Sequence, residues 1–168
     1  MASLMDLFSG YDQIRLAERS RDMTAFQSPI GLVRLTRLPQ GWTGAVPEFM
    51  RVAMRILGND LGQVASPFID DFGVRGAKSF YVNEETLPGV RRHVYEHLRN
   101  IDKTLFNVEL AGATVSGDKL LLCQKAIKIV GFVCDFDGRH PEAAKVIKIL
   151  DWHASGDVVD LISDNTRL

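Results

Sequence analysis

Ala65-Ser66-Pro67-Phe68-Ile69-Asp70-Asp71-Phe72-Gly73-Val74 is the stretch that decides how this chain is read. It reads as a hairpin: a short strand, then two aspartates where a tight turn belongs, then a returning Phe72-Gly73-Val74. Two carboxylates side by side in an apolar frame repel each other and lose hydration. A divalent cation relieves both costs, because magnesium prefers oxygen ligands and takes one or two carboxylates together with substrate phosphates. A solvated Asp-Asp turn is the plain alternative.

A third carboxylate lies upstream. Asp6 ends a short apolar lead and opens Asp6-Leu7-Phe8-Ser9-Gly10-Tyr11. A strand ending in Asp6, set beside the hairpin, would complete a three-carboxylate cage of the kind that holds two metals for in-line phosphoryl transfer. The sequence does not by itself bring Asp6 to Asp70. Met1 to Leu4 reads as an added leader, with the natural sequence starting at Met5 or Asp6.

The flanking segments mix helices and strands. Thr24 to Leu38 suggests two strands joined around Pro29 to Gly31, and Pro39 to Gly44 is a breaker-rich loop. A helix follows with Pro47 in its first turn, Phe49, Val52, Ala53, Ile56 and Leu57 at helical spacing, and Gly58-Asn59 as its stop. Lys78 to Gly89 is a polar connector. Val94, Leu98, Ile101, Leu105 and Val108 mark the clearest amphipathic helix, closed by Gly112. Ala126 to Phe136 suggests a strand, Asp137-Gly138 a turn, and Pro141 to Trp152 a short helix. Strands and helices do not alternate regularly, which predicts an α+β fold.

Bulk properties narrow the function classes. With 168 residues, 46% apolar and 24% charged, the chain can bury a core and is not disordered throughout. A net charge of -1 confines any nucleic-acid binding to local patches. Cys123 and Cys134 form no CxxC pair, which argues against a cysteine-rich zinc site and for reduced thiols. No apolar run reaches membrane-spanning length, so an intracellular protein without a membrane partner is expected.

Taken in order, the motifs resemble the reverse transcriptases of gypsy-type LTR retrotransposons, relatives of the retroviral enzymes. Asp6 to Ile14 resembles the first catalytic motif, Thr24-Ala25-Phe26 with Pro29 and Gly31 the adjoining segment, and Leu38-Pro39-Gln40-Gly41-Trp42 the second motif. Phe68-Ile69-Asp70-Asp71 matches the aromatic-x-Asp-Asp box, Gly112 to Lys119 the next motif, and Ile129 to Pro141 the primer grip. The resemblance implies a polymerase palm over residues 1–152, with a small antiparallel sheet backed by helices. It implies two magnesium ions (or manganese) on Asp6, Asp70 and Asp71, with the Leu7 carbonyl as a further ligand. Tyr11 would be the steric gate against a ribose 2′-hydroxyl, or a core aromatic. Gln40 and Gly41 would line the nucleotide site with Trp42 supporting their loop. Lys119 would protonate pyrophosphate, or be an ordinary surface lysine. Gly131, Phe132 and Val133 would form the primer grip, or simply a buried strand. The implied partners are dNTPs and an RNA or DNA template-primer, in the cytoplasm or a retroelement particle.

The match starts at the first motif, leaving out nearly all of the fingers, and residues 153–168 do not follow the family into a thumb. The expected function is therefore RNA-directed DNA synthesis by a palm. The alternative is a catalytically incomplete, retroelement-derived module that binds nucleic acid or self-associates as a homo-oligomer. Two other features stand out. His93 and His97 share a helix face and read as a solvated pair rather than a metal site. Arg15, Arg19 and Arg21, Arg91 and Arg92, and Lys119, Lys125 and Lys128 are basic groups that either meet phosphates or form an ordinary charged surface.

Overall fold

The computed structural model describes residues 1–150. In chain order the main elements are β1 (Ala2–Asp6), α1 (Gly10–Gln13), α2 (Glu18–Arg21), β2 (Phe26–Ser28), β3 (Gly31–Val33), α3 (Ala45–Leu57), β4 (Ala65–Phe68) and β5 (Asp71–Val74). There follow β6 (Glu85–Leu87), β7 (Val90–Arg91), α4 (Arg92–Leu110), β8 (Leu121–Gln124), β9 (Ile127–Ile129), β10 (Phe132–Cys134), β11 (Arg139–Pro141) and α5 (Ala143–Leu150). The α+β class holds. Two compact units are distinguished, Met1–Ile127 and a second beginning at Lys128.

The first unit is built on an antiparallel sheet of order β4-β5-β1-β8. The central strand β1 buries three consecutive residues, Ser3, Leu4 and Met5. Both of its faces are therefore covered, which explains an apolar run in place of strict alternation. Residues 2–4, expected as part of an added leader, thus belong to a strand paired on both edges. Pro67 is tolerated in β4 because β4 is an edge strand, where a missing N–H breaks no inner ladder.

Helices α3 and α4 back this sheet, α3 against β4, α4 against β5 and β8, and each against the other. Pro47 sits in the first turn of α3, whose buried Ala45, Phe49, Ala53 and Leu57 recur every fourth residue. They meet Met5, Leu7, Phe72, Val74, Ile101 and Val108 in one apolar cluster.

The inward face of α4 differs from the expected one. Its buried residues are His93, His97, Ile101, Thr104 and Val108, while Leu98 and Leu105 are 46% and 37% exposed. The expected seam shares Ile101 and Val108 with the real one but substitutes leucines for the polar residues beside them. His97 is wholly buried, not solvated. Its Nε2 lies 2.8 Å from Ser3 Oγ and its Nδ1 3.0 Å from the Arg75 carbonyl oxygen. Thr104 donates its hydroxyl to the Asn100 carbonyl, 2.9 Å away. Satisfied hydrogen bonds are what let polar groups occupy a core face. His93 is buried edge-on to Phe80, with ring centroids 5.3 Å apart.

In the second unit, the single strand expected over Ala126 to Phe136 is broken. Val130 and Gly131 take left-handed backbone angles, φ 52° and 77°, and turn the chain between β9 and β10. The expected turn at Asp137-Gly138 joins β10 to β11, giving a three-stranded sheet of order β11-β10-β9. The helix expected to end at Trp152 is described as far as Leu150. Residues 153–168, expected as a non-matching tail, lie outside the described residues.

Candidate active site

The hairpin forms as expected, but its turn is Ile69-Asp70, and Asp71 is the first residue of β5. Ile69 adopts φ 55°. A β-branched side chain is strained in that region, at a cost of order 1–3 kcal/mol. Two contacts hold the turn in place. The Ile69 N–H donates to the Met50 thioether at 3.0 Å, from α3 beneath. The Leu7 N–H donates to the Asp70 carbonyl at 2.9 Å, from the chain beyond β1.

Strand register brings the third carboxylate to the pair. Asp6 stands directly opposite Asp71, next to the Met5–Phe72 pair. The Leu7-to-Asp70 bond makes Asp6 and Asp71 a non-hydrogen-bonded pair, the type with the closest side chains. Phe72 and Val74 point into the core, so alternation puts Asp71 and its partner Asp6 on the opposite face. Asp6 is also fixed from its other edge, where its carbonyl accepts the Ser116 N–H at 2.8 Å, and Phe8 donates to the Thr114 carbonyl at 2.8 Å.

The electrostatics follow from this crowding. Burial pushes the Asp71 carboxyl above its usual pKa, and the charges of Asp70 and Asp6 push it further, with Lys119 opposing. Lys119 Nζ donates to Asp6 Oδ2 at 3.1 Å, and this bond with the carboxylates around it raises the lysine's pKa. Its side chain is 66% exposed against 15% for Asp6, so the lysine is the reachable member of the pair. Among the described residues, no three His, Cys, Asp or Glu side chains are gathered so as to hold a metal ion as they stand.

Tyr11 joins the same neighbourhood. It is buried and stacked on Phe49, with ring centroids 4.4 Å apart and planes 13° from parallel. Burial raises its pKa and the Asp70 charge adds to the effect. It is thus a core aromatic that also feels the carboxylates. Gly10 makes room for the stack, since a Cβ there would lie 2.6 Å from the Phe49 ring. Leu7 is a core residue.

Gln40 and Gly41 form an exposed turn leading to α3, with Gly41 at φ 86°. The turn is tied back by the Leu38 N–H to the Ile14 carbonyl, 3.0 Å away. Among the described residues no hydrogen bond joins it to the carboxylates. Gly131, Phe132 and Val133 belong to the second unit. Phe132 lies under the Arg139 guanidinium at 4.5 Å, and a side chain at Gly131 would strike Lys145. Sequence reasoning missed Met50, Thr114 and Ser116, whose contacts position the carboxylates. They carry no local signal, because each acts through one backbone or thioether atom.

The family described as reverse transcriptase (RNA-dependent DNA polymerase) matches residues 1–134. The chain belongs to the reverse transcriptase family. A relative of this reverse transcriptase chain, the retrovirus-related Pol polyprotein from transposon gypsy of Drosophila melanogaster, is 30% identical over 148 residues, covering 88% of this chain and 13% of that polyprotein. Among solved structures, the foamy viral protease-reverse transcriptase dRH in complex with double-stranded DNA aligns at a TM-score of 0.72. It shares 26% identity and covers 92% of this chain and 24% of that one. The foamy viral protease-reverse transcriptase in complex with RNA/DNA hybrid aligns at 0.69 with 25% identity, covering 92% of this chain and 19% of that one. This reverse transcriptase chain therefore spans 13% of the gypsy polyprotein's length and 24% of the first structural relative's. Among the described residues no helix is long and apolar enough to cross a membrane.

Proposed function

We propose that this chain is the palm of an RNA-directed DNA polymerase that adds dNTPs to a primer 3′-hydroxyl on an RNA or DNA template. One observation carries the reading. The register sets Asp6 against Asp71, beside a strained Ile69-Asp70 turn, so that three carboxylates share one sheet end with a single lysine. Natural sheets avoid like charges directly opposite one another, because such pairs cost stability. An opposed acidic pair that one lysine offsets only in part, next to a strained turn, is best explained by a cation that arrives with substrate.

The family works with divalent metals, and the donor chemistry here fits them. All three side chains offer hard oxygen donors, and the Asp71 pKa is raised by burial and then by the charges of Asp70 and Asp6. Asp6, Asp70 and Asp71 would hold two magnesium ions, with manganese as a substitute. Bound there, the metals would supply activation of the primer hydroxyl and stabilisation of the leaving pyrophosphate.

The chain's own residues do the rest. Lys119 Nζ is protonated at neutral pH, on the Asp6 side of the site, and is the proton donor to pyrophosphate. Tyr11, stacked on Phe49 and within the field of the Asp70 charge, would act as the gate against a ribose 2′-hydroxyl. The Leu7 backbone, Gln40 and Gly41 line the nucleotide pocket. Gly131, Phe132 and Val133 form the primer grip. The protein would work in the cytoplasm or in a retroelement particle.

A second reading, a non-catalytic module that binds nucleic acid or self-associates, is favoured by the β2–β3 hairpin. There Ile30 and Leu32 are 90% and 73% exposed, an apolar surface suited to a homo-oligomer. Primer extension with magnesium or manganese separates the two. Extension by the wild type that disappears in Asp70→Asn supports the polymerase. Salt-sensitive primer-template binding without extension supports the module.

A further inference from the structure

Outside the carboxylate site, the first unit holds a second forced pairing of like charges. Residues 14–16 and 36–38 run antiparallel: the Leu16 N–H donates to the Thr36 carbonyl at 2.9 Å, and the Leu38 N–H to the Ile14 carbonyl at 3.0 Å. Between these bonds Arg15 bridges directly to Arg37. This is again a non-hydrogen-bonded pair, so two guanidinium side chains leave the same face at the closest cross-strand spacing.

Arg21 adds a third cation. These three arginines and Thr36 line one open pocket of about 220 Å³ with no carboxylate in its wall. The arginines are held without being neutralised. Arg21 Nε donates to the Leu16 carbonyl at 3.2 Å, and Arg37 Nη1 to the Gln13 carbonyl at 3.3 Å. Among the described residues none of the three makes an ion pair, whereas neighbouring Arg34 is taken up by Asp22. The remaining guanidinium N–H groups and the Thr36 hydroxyl are donors for an anion.

We propose that Arg15, Arg21, Thr36 and Arg37 form a clamp for the phosphodiester backbone of a nucleic-acid strand, rather than a site for a free nucleotide. The inference rests on the polymerase reading for its choice of strand over other anions. Planar guanidiniums bind phosphate oxygens in pairs. The pocket is smaller than the roughly 300–1,000 Å³ that encloses a small-molecule ligand, and it suits one phosphate group of a chain that continues past it. With a net charge of -1 over 168 residues, the chain has no diffuse basic field for nucleic acid, so an uncompensated local cluster must supply the grip.

The test is binding of a fluorescent single-stranded oligonucleotide to the full chain in EDTA, so that no chemistry intervenes, across a salt series. Arg15→Gln/Arg37→Gln is expected to bind roughly tenfold more weakly and to flatten the log–log salt slope by about 0.7 for each phosphate that is no longer neutralised. Its Tm should equal or exceed the wild type's, because the like-charge opposition is gone. Arg15→Lys/Arg37→Lys should keep the salt slope. Unchanged affinity and slope in the glutamine variant overturns the clamp, as does weakening accompanied by a lowered Tm that the lysine variant shares. Displacement of the oligonucleotide by micromolar inorganic tripolyphosphate also overturns it, in favour of a free-polyphosphate site. If the wild type does not extend primers yet shows this arginine-dependent slope, the polymerase reading fails and the clamp stands. If it extends primers but the glutamine variant binds like the wild type, the clamp alone fails.

Discussion

Replacing Asp71 with Asn should stabilise the fold while removing the site's function. Asp6 and Asp71 are directly opposed, and their side chains start about 5 Å apart. Two unit charges at that distance repel by about 0.8 kcal/mol in a water-like dielectric and about 3 kcal/mol at an effective dielectric near 20. Lys119 on Asp6 offsets part of this, which leaves a gain of about 1 kcal/mol, or a Tm rise of about 2–4 °C for a chain of this size. The pH dependence has a definite sign. The folded-state pKa of Asp71 is raised, so its contribution is fully favourable below the unfolded carboxylate value of about 3.9 and is lost as pH rises through the folded value. Asparagine mimics the protonated form, and its advantage should be full at pH 7.5 and shrink as pH falls towards that unfolded value. Thermal and urea melts of wild type and Asp71→Asn over that range measure it. An Asn variant less stable than wild type at pH 7.5 would mean that the carboxylate is a structural group, and would refute the argument from forced like charges.

Two further outcomes follow from the same packing. Burial lowers the pKa of His97, so the stability it contributes is fully present above the unfolded value of about 6.5 and is lost as pH falls through the folded value, with a slope of up to about 1.4 kcal/mol per pH unit. Urea melts between pH 7.5 and 5 should show this loss in wild type and not in His97→Gln; equal slopes in both would place the titration elsewhere. Gly10→Ala drives a methyl into the Phe49 ring and should cost about 1–3 kcal/mol as overpacking does, with altered near-ultraviolet circular dichroism from the Tyr11–Phe49 stack; an unchanged spectrum and melt would show that the stack is not tightly packed.

The fold was legible wherever period and punctuation agreed. Pro47 and Gly58 bracketed α3, and the Pro29-to-Gly31 and Asp137-Gly138 turns fell where breakers predicted them. The misreadings share a physical cause, which is tertiary compensation that no local window contains. The turn lies one residue earlier than the sequence predicts, because Ile69 is an improbable left-handed residue until Met50 and Leu7 hold it there. The inward face of α4 departs from its apolar seam because His97 and Thr104 look solvent-facing until Ser3, Arg75 and Asn100 supply their partners. Residues 2–4 read as a leader because a central strand of such short length has no period of its own. Asp6, Asp70 and Asp71 were legible as types and motifs, whereas their meeting depends on the β1–β5 register, which only the folded sheet provides.

Paramagnetic line broadening by manganese in amide spectra of the full chain tests the account's central claim most directly. Substoichiometric manganese should broaden the amide signals of Asp6, Leu7, Asp70 and Asp71 first, and Asp70→Asn or Asp71→Asn should abolish that pattern while leaving the rest of the spectrum intact. Broadening centred on other acidic residues, such as Glu84 and Glu96, or persisting unchanged in both variants, would contradict a metal site built from these three carboxylates.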